Sequence, residues 1–504
     1  MEQIVLTGHN LTAEQFYNVV YNKVGVSISP EAKSRLQKSR KLLNDLADSG
    51  QTIYGLNVGV GWNKDEAVEA SHYAAYNRQL IYSHCVGLPP WASETDVRAA
   101  ILTRLNTFLI GATGVSPEIP EFYAELLNHQ IHPLIPQQGS VGQADLGLMS
   151  FVGLTILGEG QVYYKGEIAD ARFALQQEGI PPIPQLGPKD GLSIVSTNGM
   201  SLGQGMLVLK ELEDILRAAD LIYCCTLEAL NGNIGPFCEH ALKLKADEGS
   251  LGTGKSMRRH LVGSFLHEPD ANRQLQDPLC FRNAVHIHGA AREMLEYTKR
   301  RILHAINASE DNPSLDLEEG CIISTSNYET LNWILGMESL GIAVSHIAQA
   351  VSQRIIRLAN PVITGLPRFL APDKVLGFAT LQKTITAQSA KIRHLSNPAS
   401  ADTFSMAGAI EDKGTNAPYV VQRIRDMVDI LREIMAIELM YAAQGQDFRL
   451  KEGKSLGKDT KTVHTNVRKL IGFLDEDRVL THDIISLRDL IAAGGITKKS
   501  PGMM

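Results

Sequence analysis

Cysteine is scarce in this sequence. Six in 504 residues, without regular spacing, build no disulfide scaffold. The adjacent pair Cys224-Cys225 also lacks the spacing of a CxxC metal half-site. Basic charge is not in excess: 48 Lys and Arg stand against 55 Asp and Glu, a formal net charge of −7 and a pI near 6.1. A nucleic-acid or anionic-membrane partner therefore has no electrostatic footprint. Uninterrupted apolar runs fall short of ~18 residues, so no transmembrane helix is expected. Residues 1–10 lack the basic start and apolar stretch of a signal peptide. Internal repeats and low-complexity tracts are missing too. What remains is a chain 44% hydrophobic and 20% charged, able to bury a large core and unlike a disordered chain or a fibre. A soluble, cytoplasmic globular protein is expected, and length alone suggests three or four domains at roughly 100–200 residues each.

The first 200 residues are mixed in character. Residues 11–26 and 29–49 read as helices. Thr12 precedes Glu14 and Gln15, and Ser29-Pro30 supplies a cap and a proline at the first helical position. Three loops follow. Tyr54-Gly-Leu-Asn-Val-Gly-Val-Gly61 is dense in glycine, which lets a backbone approach something closely. Residues 132–148 carry Pro133, Pro136, Gly139 and Gly142, and a third loop surrounds Ser196-Thr-Asn-Gly199. A short strand pair fits residues 160–168.

From about residue 200 the pattern turns helical. Leu209, Leu212, Leu216, Ala219, Tyr223, Leu227 and Leu230 step by three and four, and Gly232 follows as a stop. Residues 283–306, 329–359 and 417–443 are long and free of strand signals, the last with Asn416 as cap and Pro418 in its first turn. Thirty residues span ~45 Å at 1.5 Å each, which implies an elongated bundle. In residues 334–356 apolar and small residues cover most of the circumference, so that helix is buried in a core or against other subunits. The expected division is 1–203, a mixed, loop-rich active-site domain, and 204–504, the helical bundle with a C-terminal extension.

Each candidate for chemistry has a plainer reading. Gly249-Ser-Leu-Gly-Thr-Gly-Lys-Ser256 satisfies the P-loop pattern, but the residues before it are charged and helix-prone. A phosphate cradle needs a strand before it and a helix after it, so a surface loop is the plainer reading. Tyr54 is either a lone loop aromatic or a proton-transfer group whose depressed pKa makes it a base. Arg282 could pair with a substrate carboxylate through its planar fork or form a structural salt bridge with Asp277. His84 follows an apolar segment, where most histidines are ordinary core or surface groups. His286 and His288 are two apart on a helix and share no face, so no zinc pair, and no metal site at all, is expected. Glu411-Asp412-Lys413 reads first as a solvated charge cluster.

Taken in order, these segments resemble the aromatic amino acid ammonia-lyase family, the histidine and phenylalanine ammonia-lyases. The likeness runs over about residues 5–450. Tyr54 to Gly61 matches the family's YGxNTGFG loop, and Ser83-His84 its histidine-type selectivity pair. Ser196 to Gly199 falls at its NGT loop, and Gln276-Asp277-Pro278-Leu279 to Arg282 at QDxYSLR. Asn307 to Pro313 matches NSxxDNP, Asn327-Tyr328 matches GNFHG, Glu411-Asp412 matches QED, and Gln444 to Arg449 matches QGLDLR. The resemblance implies a mainly α, L-aspartase-like fold with a long central helical bundle, and a homotetramer whose sites draw on three chains. It implies a small amino acid or related carboxylate as partner. Tyr54, Asn198 and Arg282 would be catalytic, and Ser83, His84, Gln276, Asn327, Tyr328 and Glu411 would bind substrate.

One departure limits the resemblance. The family carries Gly-Ser-Val-Gly-Ala-Ser-Gly-Asp-Leu, whose Ala-Ser-Gly triad cyclises into the electrophile methylidene-imidazolone. Here Gly139-Ser140-Val141-Gly142 runs directly into Gln143-Ala144-Asp145-Leu146. One residue is missing, with the serine to be dehydrated, and no glycine amide closes a ring. The imidazolone is therefore expected to be absent, with no other cofactor. Leu279 replaces the family tyrosine, Val58 the loop threonine and Val60 the loop phenylalanine. General base catalysis, worth roughly 10²–10⁴-fold, and proximity remain for an easier elimination or addition on a histidine-like or aromatic amino acid. The alternatives are an inactive relative serving as an amino-acid-binding, regulatory or structural subunit, and a P-loop enzyme.

Overall fold

The computed structural model describes residues 3–497. Helices dominate, and the strands are two to four residues long. The chain divides into two compact units. One takes in the chain up to Val208 with Thr298–Leu335 and Pro398–Gln422; the other takes in Leu209–Tyr297, Gly336–Asn397 and the chain from Arg423. Both are assembled from distant stretches of sequence.

In the first unit, local sequence signals set the helix starts. Thr12 and Gln15 form a reciprocal capping box at Ala13–Val20, and Ser29 caps Pro30–Asp48 with proline in its first turn. The strand pair expected near residue 160 is the hairpin Gln161–Tyr164 with Glu167–Asp170. At the centre lies the helix Glu94–Phe108, capped by Ser93 and Asp96, with every residue from Asp96 to Phe108 buried. Its two arginines are buried against different partners, backbone carbonyls for Arg98 and carboxylates for Arg104. Arg98 donates to the carbonyls of Leu127 and Val19 at 2.9 and 2.8 Å. Arg104 reaches the Ser193 carbonyl, Glu310 and Asp311 and lies over the Phe108 ring.

The second unit is a helical core. Arg354 and Glu438, both fully buried, pair between two long helices at 2.5 Å, and the Arg354 guanidinium lies over the Tyr223 ring. Arg423 pairs with Glu338 at 2.5 Å. Breaking such a pair from one side leaves a charge stranded in a low dielectric.

The long helices run Gly199–Leu230, Ala284–Ile306, Leu331–Leu358 and Ala417–Lys451. The last extends past residue 443 into the Gln444 to Arg449 motif. Asn416, expected as its cap, has φ +50° and donates its carboxamide to the carbonyls of Ala399 and Asp402. Leu331–Leu358 is long and apolar enough to span a bilayer, with a mean hydropathy of 1.3, and 61% of that window is buried inside the fold. Polar residues such as Glu338 and Ser339 break its apolar runs, which is why counting uninterrupted runs passes it by.

Candidate active site

Glycines shape the Tyr54 loop. Asn57 holds it from inside, accepting the Ile53 N–H and donating to the Gln51 carbonyl, both at 2.7 Å. Gly55 and Gly61 have φ of +72° and +57°, conformations that cost a side chain about 1–2 kcal/mol. The turn delivers the Gly61 N–H onto Tyr54 Oη at 2.7 Å. That bond favours the phenolate, but burial outweighs it and raises the pKa, with Glu411 and Tyr328 pushing the same way. The expected depressed pKa is therefore corrected for the free chain: the phenol is held protonated. Tyr76 also lies within electrostatic reach of Tyr54. Glu411 closes this side: a Cβ on Gly61 would sit 3.5 Å from its carboxylate.

Asn198 rests on a buried floor. Its backbone N–H donates to Glu310 Oε2 at 2.8 Å, and Thr197 Oγ1 donates to the same carboxylate, which Arg104 answers. Its Nδ2 donates to the Tyr328 carbonyl at 2.9 Å, while its Oδ1 is buried without a hydrogen-bond partner. Asn327 is exposed beside it. Glu310, Arg104 and Thr197 were not among the expected site residues. Glu310 is the available clue, an acid inside the Asn307 to Pro313 motif.

The residues present where the triad is missing do not fit imidazolone formation. Ser140 Oγ donates to Asp145 Oδ1 at 3.0 Å and accepts the Gly142 N–H at 3.1 Å, so the loop's serine is engaged. The Asp145 N–H is committed to the Thr197 carbonyl at 2.6 Å. Thr330 and Thr415 donate to the Gly142 carbonyl, and Ala144 is turned to φ +62°. Asp145 is fully buried, and burial lifts its pKa to about 6 against hydrogen bonds from Ser201 and Ser140. Gln143 reaches Glu329.

Ser83 and His84 end the helix Tyr73–His84, one turn beyond Leu80, which follows Tyr76 by another turn. His84 Nδ1 is 2.7 Å from the Leu80 carbonyl. A carbonyl only accepts, so Nδ1 carries the proton and Nε2 is left as an acceptor in the neutral ring. The His84 carbonyl accepts from Ser150 at 3.0 Å. This ties the pair to the Leu146–Ile156 helix, which starts directly after Asp145.

Tyr54, Ser83, His84, Asn198, Asn327, Tyr328, Glu411 and the residues 143–145 thus all belong to the first unit. Gln276 and Arg282 belong to the second. There Arg282 Nη1 donates to Gln276 Oε1 at 2.9 Å, at a polar cleft of about 380 Å³. Asp277 accepts the Asn233 N–H at 2.7 Å, and Leu279 is exposed. The P-loop pattern lies inside the helix Glu248–His260, directly after another helix. It is neither a phosphate cradle nor the loop expected of it. His286 and His288 turn to different partners, Ser250 and Asp220.

A mainly helical fold whose first unit carries a tyrosine on a glycine loop, a floored asparagine and a histidine at a helix end defines the class. A profile of the aromatic amino acid lyase family matches residues 11–469. A histidine ammonia-lyase of Treponema denticola is 32% identical over 496 residues, covering 98% of this chain and 97% of that one. One of Alkaliphilus oremlandii is 31% identical over 98% and 97%. Among solved structures, the ergothioneine-degrading enzyme ergothionase of Treponema denticola is 39% identical, with a TM-score of 0.96 over 99% of this chain and 100% of that one. A tyrosine aminomutase of Streptomyces globisporus is 27% identical, with a TM-score of 0.92 over 98% of each. The chain belongs to the aromatic amino acid lyase family.

Proposed function

We propose that this chain is a carbon–nitrogen lyase that eliminates a tertiary amine from a quaternary ammonium derivative of a histidine-like amino acid, without an imidazolone. The observation that carries this reading is the Gln143-Ala144-Asp145 loop, which has no serine to dehydrate. The likeness to ergothionase supports the substrate class, because ergothioneine is the trimethylammonium betaine of a 2-thioimidazole amino acid.

The leaving group explains how the electrophile becomes dispensable. A primary ammonium gives up an N–H to a base more readily than a β C–H, and the resulting amine does not leave. A quaternary ammonium has no N–H and stays in its leaving form. Tyr54, as phenolate, takes the β-proton; that C–H pair becomes the Cα=Cβ bond; the Cα–N bond breaks and its electrons leave on neutral trimethylamine. The product is an α,β-unsaturated carboxylate conjugated with the ring. A cation entering beside Tyr54 favours the phenolate, opposing the effect of burial. Arg282 clamps the carboxylate, with Gln276 beside it, and Asn198 gives a polar contact. Ser83, His84 and Glu411 read the ring, His84 through its Nε2 acceptor, with Asn327 and Tyr328 lining the site.

The same reading includes a homotetramer, with Arg282 supplied to the site by another chain. Its support is a stripe on the Leu331–Leu358 helix: Ile342, His346, Gln349, Gln353 and Ile356 are exposed or half-buried. They step by three and four, the spacing of a coiled-coil seam. Light scattering then gives four times 55.1 kDa.

The deciding experiment supplies ergothioneine, histidine, phenylalanine and tyrosine, and follows amine release and the ultraviolet absorbance of the conjugated acid. Trimethylamine from ergothioneine, no ammonia from the others, and an intact mass equal to the unmodified sequence are expected. Ammonia from histidine, or a mass short by two waters, overturns the reading.

A further inference from the structure

Two departures from the family pattern meet in this fold. Gln143 stands at the missing triad, and Glu329 stands where Gly-Asn-Phe-His-Gly has its histidine, the segment here being Ser326-Asn327-Tyr328-Glu329-Thr330. Gln143 and Glu329 form an isolated antiparallel bridge, and Gln143 Nε2 donates to Glu329 Oε2 at 3.4 Å. Glu329 Oε1 accepts the Leu331 N–H at 2.9 Å. The carboxylate is thus held at both oxygens, yet Glu329 is exposed rather than sunk in the core. One residue earlier, Tyr328 lies within electrostatic reach of the Tyr54 phenol, and its carbonyl takes the Asn198 Nδ2. Asn198, only 2% exposed, keeps an unpartnered Oδ1 there. A fixed carboxylate, an unfilled acceptor and two phenols, with no cation among them, suit a cationic ligand.

Resting on the lyase reading above, we propose that Glu329 receives the quaternary ammonium of the substrate beside the Gln143 loop and thereby selects permanently cationic amino-acid derivatives. A quaternary ammonium donates no hydrogen bond, so the contact is charge against charge, with the methyl groups against phenol faces. The positive charge disappears as the amine departs. The ion pair is therefore stronger with bound substrate than in the transition state, so it raises substrate affinity and does not accelerate the chemical step.

The test is Glu329→Gln, which keeps the shape and the acceptor for the Leu331 N–H. With ergothioneine as substrate, KM rises roughly tenfold while kcat stays level or increases, and Glu329→Asp recovers part of the affinity. Tetramethylammonium inhibits the wild-type chain, and its inhibition constant weakens by a similar factor in Glu329→Gln. A fall in kcat at constant KM, or no change in either, overturns the proposal. Calorimetric binding of tetramethylammonium reads Glu329 without turnover. If the wild-type chain releases no trimethylamine, the lyase reading fails. A tetramethylammonium affinity that drops in the variant then still supports the cation site, and equal affinities reject it.

Discussion

The floor and the rim of the candidate site are built on opposite principles. The floor, made of Asp145, Thr197, Asn198, Glu310 and Arg104, is wholly buried, and nearly every polar atom in it answers another. The rim, made of Tyr54, His84, Glu329 and Glu411, is half-buried or exposed and turns on glycines. Charge sunk in a low dielectric must be matched in place, which locks the backbone. Charge left at the rim stays solvated and is free to be matched by a ligand. The difference teaches that this chain commits its internal pairing to holding Asn198 and leaves an acidic, phenolic edge open to solvent.

Four variants test that contrast, beginning with the largest effect. On the rim, Tyr54→Phe lowers kcat for amine release by roughly 10²–10⁴-fold with an unchanged circular dichroism spectrum. Unchanged turnover removes Tyr54 as the base. In the floor, Arg104→Met strands Glu310 and Asp311 without their cation. It lowers stability by about 3–5 kcal/mol, read as a denaturant midpoint at constant slope. A floor as tolerant as the rim shifts it by under ~1 kcal/mol.

Asp145 gives the floor a pH signature. Its pKa of about 6 lies above the ordinary 3.8, so the folded chain binds this proton more tightly than the unfolded one. The stabilisation is complete below the ordinary value and is lost as pH rises through about 6, by on the order of 2–3 kcal/mol. Asp145→Asn, with Ser140 turning its hydroxyl to accept, flattens melting temperature against pH over that window. An unchanged slope assigns the effect to Glu310, the other carboxylate facing it. The smallest effect belongs to an exposed pair outside both regions. Lys33→Met breaks the 3.0 Å bridge to Glu121, each side chain 52% exposed, and costs under ~1 kcal/mol, less still at high salt.

Much of the local structure was legible in the residues. Thr12 with Gln15, and Ser29 with Pro30, announce helix starts because side-chain oxygens and a fixed φ act within one turn. The glycine loop after Tyr54, the order of the motifs and the missing triad are all plain in the sequence. The P-loop pattern shows where such reading fails: the same residues make a helix, because no strand precedes them to hold a loop open. The direction of the Tyr54 pKa was likewise hidden. Burial decides it, and burial is a property of the packed chain.

By itself, then, the sequence determined most helices, the glycine turns and the lack of an Ala-Ser-Gly triad, since these depend on near neighbours and on covalent structure. Only the tertiary structure brought Arg104 to Glu310 and Gln143 to Glu329, pairs separated by about two hundred residues. No local preference encodes such meetings. They follow from the need to answer buried charge with charge and buried donors with acceptors, and that need exists only once water has been excluded.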